Sequence, residues 1–286
     1  MKISIIMPTY NRNFTIPTAI DSIISQTHKK WELLIIDDGS TDHTQETVQK
    51  YIKKDNRIKY FRIPHKGTPF AWNLGITKSK NNLLFFIGDD CKLHKNCLEN
   101  LLKTAEKLQN KNFGAVAPRL IYVKNIKNPR EETPNKTNYA HIDPATGDIK
   151  GSFNIKTEKP LEVPIIHGYA LTRKGVLRQV GGFDQKTYKG NFYREETDLW
   201  LRIRGKGYKL YYEPTAKIYC QKGLTKGGQW SNVKENPITY EYYVIYNHHQ
   251  FLKKFFGKRR FFMLPTFLLR RLYMRMLQLH AHTRTS

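Results

Sequence analysis

The segment WELLIIDDGSTD at residues 31–42 contains the pattern that decides the fold. Residues 31–36 are mainly large and apolar, which favours a buried strand. Two aspartates, a glycine and three short polar residues follow at once. The segment therefore predicts a core strand that ends in a polar loop.

The same pattern recurs along the first 120 residues. Apolar residues at helical spacing predict helices in 15–27 and 95–108. Further strands are predicted at 3–7, 58–63, 83–87 and 114–118. This alternation favours an α/β fold, a parallel sheet with helices on both faces. Ligands of such sheets bind at the carboxyl ends of the strands. The loops found there are PTYNR (8–12), DDGSTD (37–42), HKGTPF (65–70) and GDD (88–90).

Asp89 and Asp90 stand side by side at the end of an apolar strand, in a chain of formal net charge +25. Adjacent carboxylates repel each other and lose hydration when they are buried. A metal ion or a bound sugar hydroxyl would compensate for this cost, and the structural alternative is neutralisation by Lys92 or Lys95. The pair therefore marks a candidate binding site.

Composition bounds the class of protein. The 286 residues are 39% hydrophobic and 13% aromatic, which is typical of a globular chain. Lysine and arginine outnumber acids by 49 to 24, so the surface attracts nucleic acid, anionic lipid or phosphorylated substrates. Cys91, Cys97 and Cys220 lack metal-type spacing and are expected to be free thiols in a reducing compartment. With no run of about 20 apolar residues and no signal peptide, we expect a cytoplasmic protein.

The second half of the chain is less regular. Residues 123–160 show no apolar face and predict a long surface excursion. Residues 242–286 carry nine Lys/Arg and no acid among large apolar residues, which predicts interfacial helices on an anionic membrane, peripheral on its inner face. The alternatives are a basic helical pair docked on the domain and a nucleic-acid-binding arm. The arm is less favoured, because large apolar residues add little to a phosphate-backbone contact.

Three stretches together resemble family 2 glycosyltransferases of the GT-A fold. They are ISIIMPTYNR with WELLIIDDGSTD, then NNLLFFIGDD, then GGFD with REETDLWLRIRGKGYKLYYEP, so the likeness covers roughly residues 1–220. The resemblance implies a hexosyltransferase-like enzyme that moves a sugar from a nucleotide diphosphate to a hydroxyl acceptor with inversion. Polysaccharide or glycolipid assembly is the expected setting. The expected transferase domain is 1–225, with a nucleotide-binding half at 1–120 and an acceptor and catalytic half at 121–225. Residues 226–286 are expected to form a lid loop and a basic extension.

The resemblance also implies a donor site at the strand ends. Asp38 would accept the N3–H of uracil, although dTDP and GDP remain open, and Asp90 would bind Mg²⁺ or Mn²⁺ at the diphosphate. The DDGS motif can also cap the following helix, and both roles can hold together. The residues expected to bind the nucleotide sugar are Pro8, Thr9, Tyr10, Arg12, Asp38, Gly67, Asn73 and Asp89.

Glu195 and Glu196 occupy the place where the family usually has Glu-Asp, with the Asp as general base. Glu196 falls on the base position and Glu195 is its competitor. Acids in a first helical turn are also favoured by the macrodipole alone. The sugar and acceptor region is expected at His167, Gly168 and Tyr169, and a lid at 223–231 with Trp230 as an acceptor platform.

Two departures from the family pattern leave other functions open. Ala71-Trp72-Asn73 lacks the arginine that many relatives have, and Cys220 or Gln221 stands where relatives often carry a metal-binding histidine. A nucleotidyltransferase is one alternative, although PTYNRNFT lacks the glycine-rich phosphate loop of that class. A non-catalytic basic protein that binds membrane or nucleic acid is the other.

Overall fold

The computed structural model describes residues 1–108, 111–131, 138–221 and 236–283, with side chains up to residue 276. Trp230 and the expected lid at 223–231 lie outside these residues. The strands are β1 (Ile3–Thr9), β2 (Trp31–Asp37), β3 (Ile58–Arg62), β4 (Leu83–Phe86), β5 (Cys91–Leu93), β6 (Phe113–Val123), β7 (His141–Ile142), β8 (Ile149–Lys150), β9 (Leu161–Val163), β10 (Leu171–Arg173) and β11 (Lys209–Gln221).

Eight α-helices lie within the described ranges. They are α1 (Ile16–Ile24), α2 (Thr44–Ile52), α3 (Thr68–Lys78), α4 (Cys97–Leu108), α5 (Lys174–Gln179), α6 (Glu195–Gly205), α7 (Pro237–Phe256) and α8 (Arg260–Thr283). A 3₁₀ turn at Gly257–Arg259 joins the last two. No helix in the described ranges has the length and apolar content to cross a bilayer.

The central sheet runs in the order β3-β2-β1-β4-β10-β6-β11-β5, with β9 beside β11. The first four strands are parallel, as expected. The other half is mixed, because β10 pairs antiparallel with β4 and β6 after the chain returns from the excursion. The parallel sheet expected from the first 120 residues is therefore present in β1 to β4, and the strands from later in the chain extend it into a mixed sheet.

Alternate residues of the central strands bury against helices on opposite faces, as the pleat requires. Ile5 packs in a cluster with residues of α1 and α4. Ile6, its neighbour, packs in a second cluster with Trp72 of α3 and Trp200 of α6. Because β1 to β4 are parallel, their carboxyl ends meet at one edge of this three-layer core.

Two segments pack more closely than the sequence suggested. Ile126, Ala140 and Ile155 of the excursion are buried, so it is not wholly a surface loop. Helix α7 buries Tyr240, Val244, Asn247, His248, Phe251 and Leu252. This arrangement matches the alternative of a helical pair docked on the domain.

Cys91 and Cys220 form a disulfide between β5 and β11, and Cys97 is the free, buried cysteine. The expectation of three free thiols was therefore wrong for two of them. Strands β5 and β11 are antiparallel neighbours with Cys91 opposite Cys220, a pairing 129 residues apart in the chain. No sequence spacing indicates this contact.

Candidate functional site

The loops that follow β1 to β4, residues 8–12, 37–42, 65–70 and 88–90, are called the strand-end loops below. Backbone bonds tie the first two together, since Asp38 N–H donates to Thr9 O at 2.9 Å. The Asn11 N–H donates to Ser40 Oγ at 2.9 Å. Pro8, Thr9, Tyr10 and Asp38 therefore share one edge of the sheet, as expected.

Asp38 is held by the third strand-end loop. Its carboxylate accepts the N–H groups of Lys66 at 2.8 Å and Gly67 at 2.9 Å. Burial raises its pKa, and these two bonds oppose the rise. Gly67 has φ +91°, and a Cβ there would lie 2.2 Å from the Phe192 ring. Only glycine combines a ready positive φ with the absence of a Cβ, so Gly67 is what lets this loop approach Asp38.

Both carboxylate oxygens of Asp37 are used within the protein. Its Oδ1 accepts the Ser40 N–H at 2.7 Å, and its Oδ2 accepts the Tyr60 hydroxyl. Asp37 therefore orients the loop, and Asp38 is the candidate binding carboxylate of the pair.

The Asp89–Asp90 pair is faced by Arg12, whose Nε lies 3.6 Å from Asp89 Oδ1. Burial raises the pKa of Asp89 to about 7, with Asp90 adding to the rise and Arg12 opposing it. Burial also raises the pKa of Asp90, again against Arg12. Lys92, one of the cations suggested from sequence, donates to the Lys127 carbonyl instead. Arg12 compensates only part of the charge, and the site favours a further cation.

A divalent cation fits the Asp89–Asp90 site only if a bound ligand supplies some of the oxygen atoms around the ion. The described residues contain no cluster of three or more His, Cys, Asp or Glu arranged to hold a metal. Mg²⁺ commonly binds one or two carboxylates together with substrate phosphates, and Asp90 supplies such a carboxylate. Cys220 is in the disulfide, and the Gln221 N–H donates to the Asp90 carbonyl at 3.3 Å. The ion would therefore need the phosphates of a ligand to complete its shell.

Glu195 and Glu196 open helix α6 after a strained turn, in which Phe192 and Arg194 have positive φ. Desolvation raises the pKa of Glu196 to about 7, opposed by a hydrogen bond from the Gly168 N–H. A Cβ on Gly168 would lie 2.1 Å from Glu196 Oε1, so glycine is what lets the carboxylate reach this backbone. A carboxylate with a pKa near neutrality is suited to act as a general base.

Tyr169 connects the acid pair with the helix. A Cβ on Gly88 would lie 2.7 Å from both Asp90 Oδ1 and Tyr169 Oη, so these two groups converge there. Burial first, then the charges of Asp90 and Glu196, raises the pKa of the Tyr169 hydroxyl. The candidate metal ligand and the candidate base therefore lie around one tyrosine.

A cavity of about 230 Å³ adjoins Glu196 and is called the α6–α7 cavity below. Its lining residues are Ile149, Asn191, Phe192, Tyr193, Arg194, Glu195, Glu196, Thr197 and Tyr240. The sequence prediction missed its aromatic members. The run NFYREE placed two of them next to the acids, but Tyr240 joins only through the docking of α7.

Three predicted or suspected site residues serve the framework. The Asn73 amide bonds both backbone groups of Phe183, and Trp72 stacks on the Phe183 ring. His167 Nε2 donates to Pro118 O at 2.8 Å, and Nδ1 accepts the Tyr169 N–H at 3.2 Å. Burial lowers the pKa of His167 to about 4, so it is neutral and both nitrogens are used within the protein. Its contribution to the site is to position Tyr169.

Comparison with known proteins matches the chain to one family. A family model described as Glycosyl transferase family 2 matches residues 4–181. A GalNAc(5)-diNAcBac-PP-undecaprenol beta-1,3-glucosyltransferase of Campylobacter jejuni is 35% identical over 224 residues, which cover 76% of this chain and 64% of that protein. An uncharacterized glycosyltransferase of Rickettsia bellii is 43% identical over 107 residues, 37% of this chain and 15% of that protein. The chain thus matches under two thirds of the length of either relative.

Solved structures show the same fold at low sequence identity. GalNAc-T7 with UDP, GalNAc and Mn²⁺ aligns with a TM-score of 0.67 and 19% identity over 91% of this chain and 54% of that one. S. aureus TarS 1–349 in complex with UDP aligns with a TM-score of 0.58 and 18% identity over 96% of this chain and 72% of that one.

Proposed function

The chain belongs to glycosyltransferase family 2, and we propose that it is an inverting enzyme that transfers a sugar from a nucleotide diphosphate donor, UDP-linked in our proposal, to a hydroxyl of a glycan or lipid-linked acceptor. The observation that carries the proposal is the convergence of Asp90 and Glu196 around Tyr169 at the end of the parallel strands. A carboxylate that can bind a metal and a carboxylate that can act as base, both close to one tyrosine, suit a displacement at an anomeric carbon.

In the proposed mechanism the strand-end loops hold the donor. Tyr10 stacks on the base, Asp38 accepts its N–H, and Asp89 accepts the ribose hydroxyls. Asp90 would hold Mg²⁺ or Mn²⁺. When bound, this ion would neutralise negative charge on the diphosphate. The GalNAc-T7 structure, which contains UDP and Mn²⁺, supports this assignment by analogy of fold.

Glu196 then takes the proton from the acceptor hydroxyl as that oxygen forms its bond to the anomeric carbon. The bond between this carbon and the diphosphate oxygen breaks, and the nucleoside diphosphate leaves with the electron pair. Gly168 holds the carboxylate in place through its N–H. The α6–α7 cavity gives the acceptor an aromatic wall next to Glu196, which suits the apolar faces of a sugar ring.

The acceptor is proposed to lie at an anionic membrane surface, because helix α8 is apolar on two opposite sides. Met263 and Phe267 are buried against the protein, whereas other large apolar side chains of the helix are exposed. The exposed set is Phe261, Phe262, Leu268, Leu269, Leu272, Tyr273, Met274 and Met276. Lys258, Arg259 and Arg260 lie at the start of the helix, and no acid occurs in 242–286. An apolar face with basic neighbours is typical of helices that lie in a lipid headgroup region.

Vesicle flotation tests the membrane proposal. We expect the protein to float with vesicles containing phosphatidylglycerol, and the variant Leu269→Glu/Leu272→Glu to remain in the soluble fraction. Ile238→Ser is the matched control, because Ile238 is 81% exposed but lies on α7. Equal flotation of the double variant and the wild type would contradict the proposal.

Thermal melting with nucleotides tests the donor site. UDP at a hundred times its dissociation constant should add about 2.7 kcal/mol to the free energy of unfolding. We expect Mn²⁺ to increase this shift in the wild type and not in Asp90→Asn. Glu99→Gln, at a partly exposed acid on α4, is the control. If neither UDP, dTDP nor GDP shifts the melting temperature, the proposed function is wrong.

A further inference from the structure

The imidazole of His65 contacts two of the residues proposed to hold the nucleobase. Its ring stacks on Tyr10 with centroids 4.4 Å apart and an interplanar angle of 29°. Its Nδ1 lies 2.9 Å from Asp38 Oδ2 and 3.0 Å from the Asp38 carbonyl oxygen. A flat ring with an N–H group therefore already stacks on Tyr10 and donates to Asp38.

A pyrimidine bound at this position would make the same two contacts. Uracil is also a flat ring, and in the proposed site it stacks on Tyr10 and donates N3–H to Asp38. Atoms in contact lie about 3.5–4.0 Å apart, so a base inserted between two rings would need them roughly 7–8 Å apart. The separation of 4.4 Å leaves no room for a base between Tyr10 and His65.

We propose that His65 occupies the nucleobase position in the ligand-free enzyme and rotates out when the donor binds. The inference rests on the proposed function, because it requires Tyr10 and Asp38 to hold the base. The imidazole and the base then compete for the same ring face and the same carboxylate.

The surroundings of His65 permit this exchange. Its side chain is 62% exposed, whereas that of Asp38 is 7% exposed. The Asp38 carboxylate also accepts the N–H groups of Lys66 and Gly67, and neither bond involves the imidazole. Asp38 therefore keeps its orientation after His65 leaves. The returning imidazole replaces the base on a mostly buried carboxylate, which favours release of the nucleotide product.

Calorimetric titration with UDP and Mn²⁺ tests the proposal on the wild type, His65→Ala and His65→Phe. His28→Ala is the matched control, since His28 is partly exposed and lies in the loop before β2, at the amino end of that strand. Pyrophosphate with Mn²⁺ is the ligand control, because it has no base to compete with the imidazole. Melting of each variant without ligand verifies that it is folded.

We expect His65→Ala to bind UDP about fivefold more tightly, the effect of removing one competing hydrogen bond and its stack. His65→Phe keeps a ring on Tyr10 without the N–H and should fall between the two. Pyrophosphate affinity should not change. If the wild type binds UDP and His65→Ala binds it equally or more weakly, His65 is no competitor and the inference is wrong. If neither protein binds UDP, the assignment of the donor site is wrong, and this inference is wrong with it.

Discussion

The strand-end loops and the α6–α7 cavity are built in different ways. Tyr10, Asp38 and Asp90 each follow their own strand within the first 90 residues, and the order of the parallel strands brings them together. The cavity instead combines Ile149 of β8 with Glu196 of α6 and Tyr240 of α7. The proposed nucleotide side is therefore a property of the sheet, whereas the proposed acceptor side depends on how later elements dock. The division is tested by variants that change the function of the α6–α7 cavity or its glutamates and leave nucleotide binding at the strand-end loops unchanged.

The largest expected effect is the loss of transfer activity when Glu196, the proposed general base, is replaced. Glu196→Gln removes the proton acceptor at constant shape, and we expect transfer to fall by about 10²- to 10⁴-fold. UDP affinity should stay within twofold, because Glu196 lies outside the strand-end loops. Glu195→Gln is the paired control and should retain most activity. If Glu195→Gln loses more transfer activity than Glu196→Gln, then Glu195 is the base and Glu196 is not.

Gly168→Ala should produce the next largest effect. The added Cβ would lie 2.1 Å from Glu196 Oε1, the far end of a flexible side chain, so the carboxylate moves and the fold is kept. Displacing a catalytic group by about 1 Å can cost about 10²-fold in rate. Gly175→Ala is the control, because a Cβ there meets nothing within 4 Å. A Gly168→Ala enzyme with normal kcat would show that the contact with Glu196 has no role in the reaction.

The pH profile should show the titration of Glu196. Its pKa is raised to about 7, so the active carboxylate form is lost as the pH falls through that value. We expect kcat/KM to fall by about tenfold per pH unit below pH 6 and to level off above pH 8. The residual activity of Glu196→Gln should lack this limb. A wild-type profile that is flat from pH 5 to 9 would contradict the assignment.

The same division explains how much the sequence could predict. The strand-end loops were predictable, because each apolar run is followed directly by its polar loop. The pairing of Arg12 with Asp89 and the disulfide between Cys91 and Cys220 were not, since they depend on distances between loops and on strand neighbours far apart in the chain. The reversal of β10 was missed for the same reason. The choice of Glu196 as candidate base rests on the family motif around it, because acids also open ordinary helices.

The smallest expected effect lies at the far wall of the cavity. Tyr240 comes from α7, far along the chain from α6, and it lines the α6–α7 cavity together with both glutamates. An aromatic contact of this kind is worth about 0.5–1.5 kcal/mol. We therefore expect Tyr240→Ala to raise the KM for the acceptor about three- to tenfold, with donor affinity unchanged, and Tyr240→Phe to behave like the wild type. Tyr242→Ala, at a side chain 60% exposed on the same helix, is the control. An increase in the KM for the donor instead would mean that α7 supports both sides of the site, and the two regions would then not be separable.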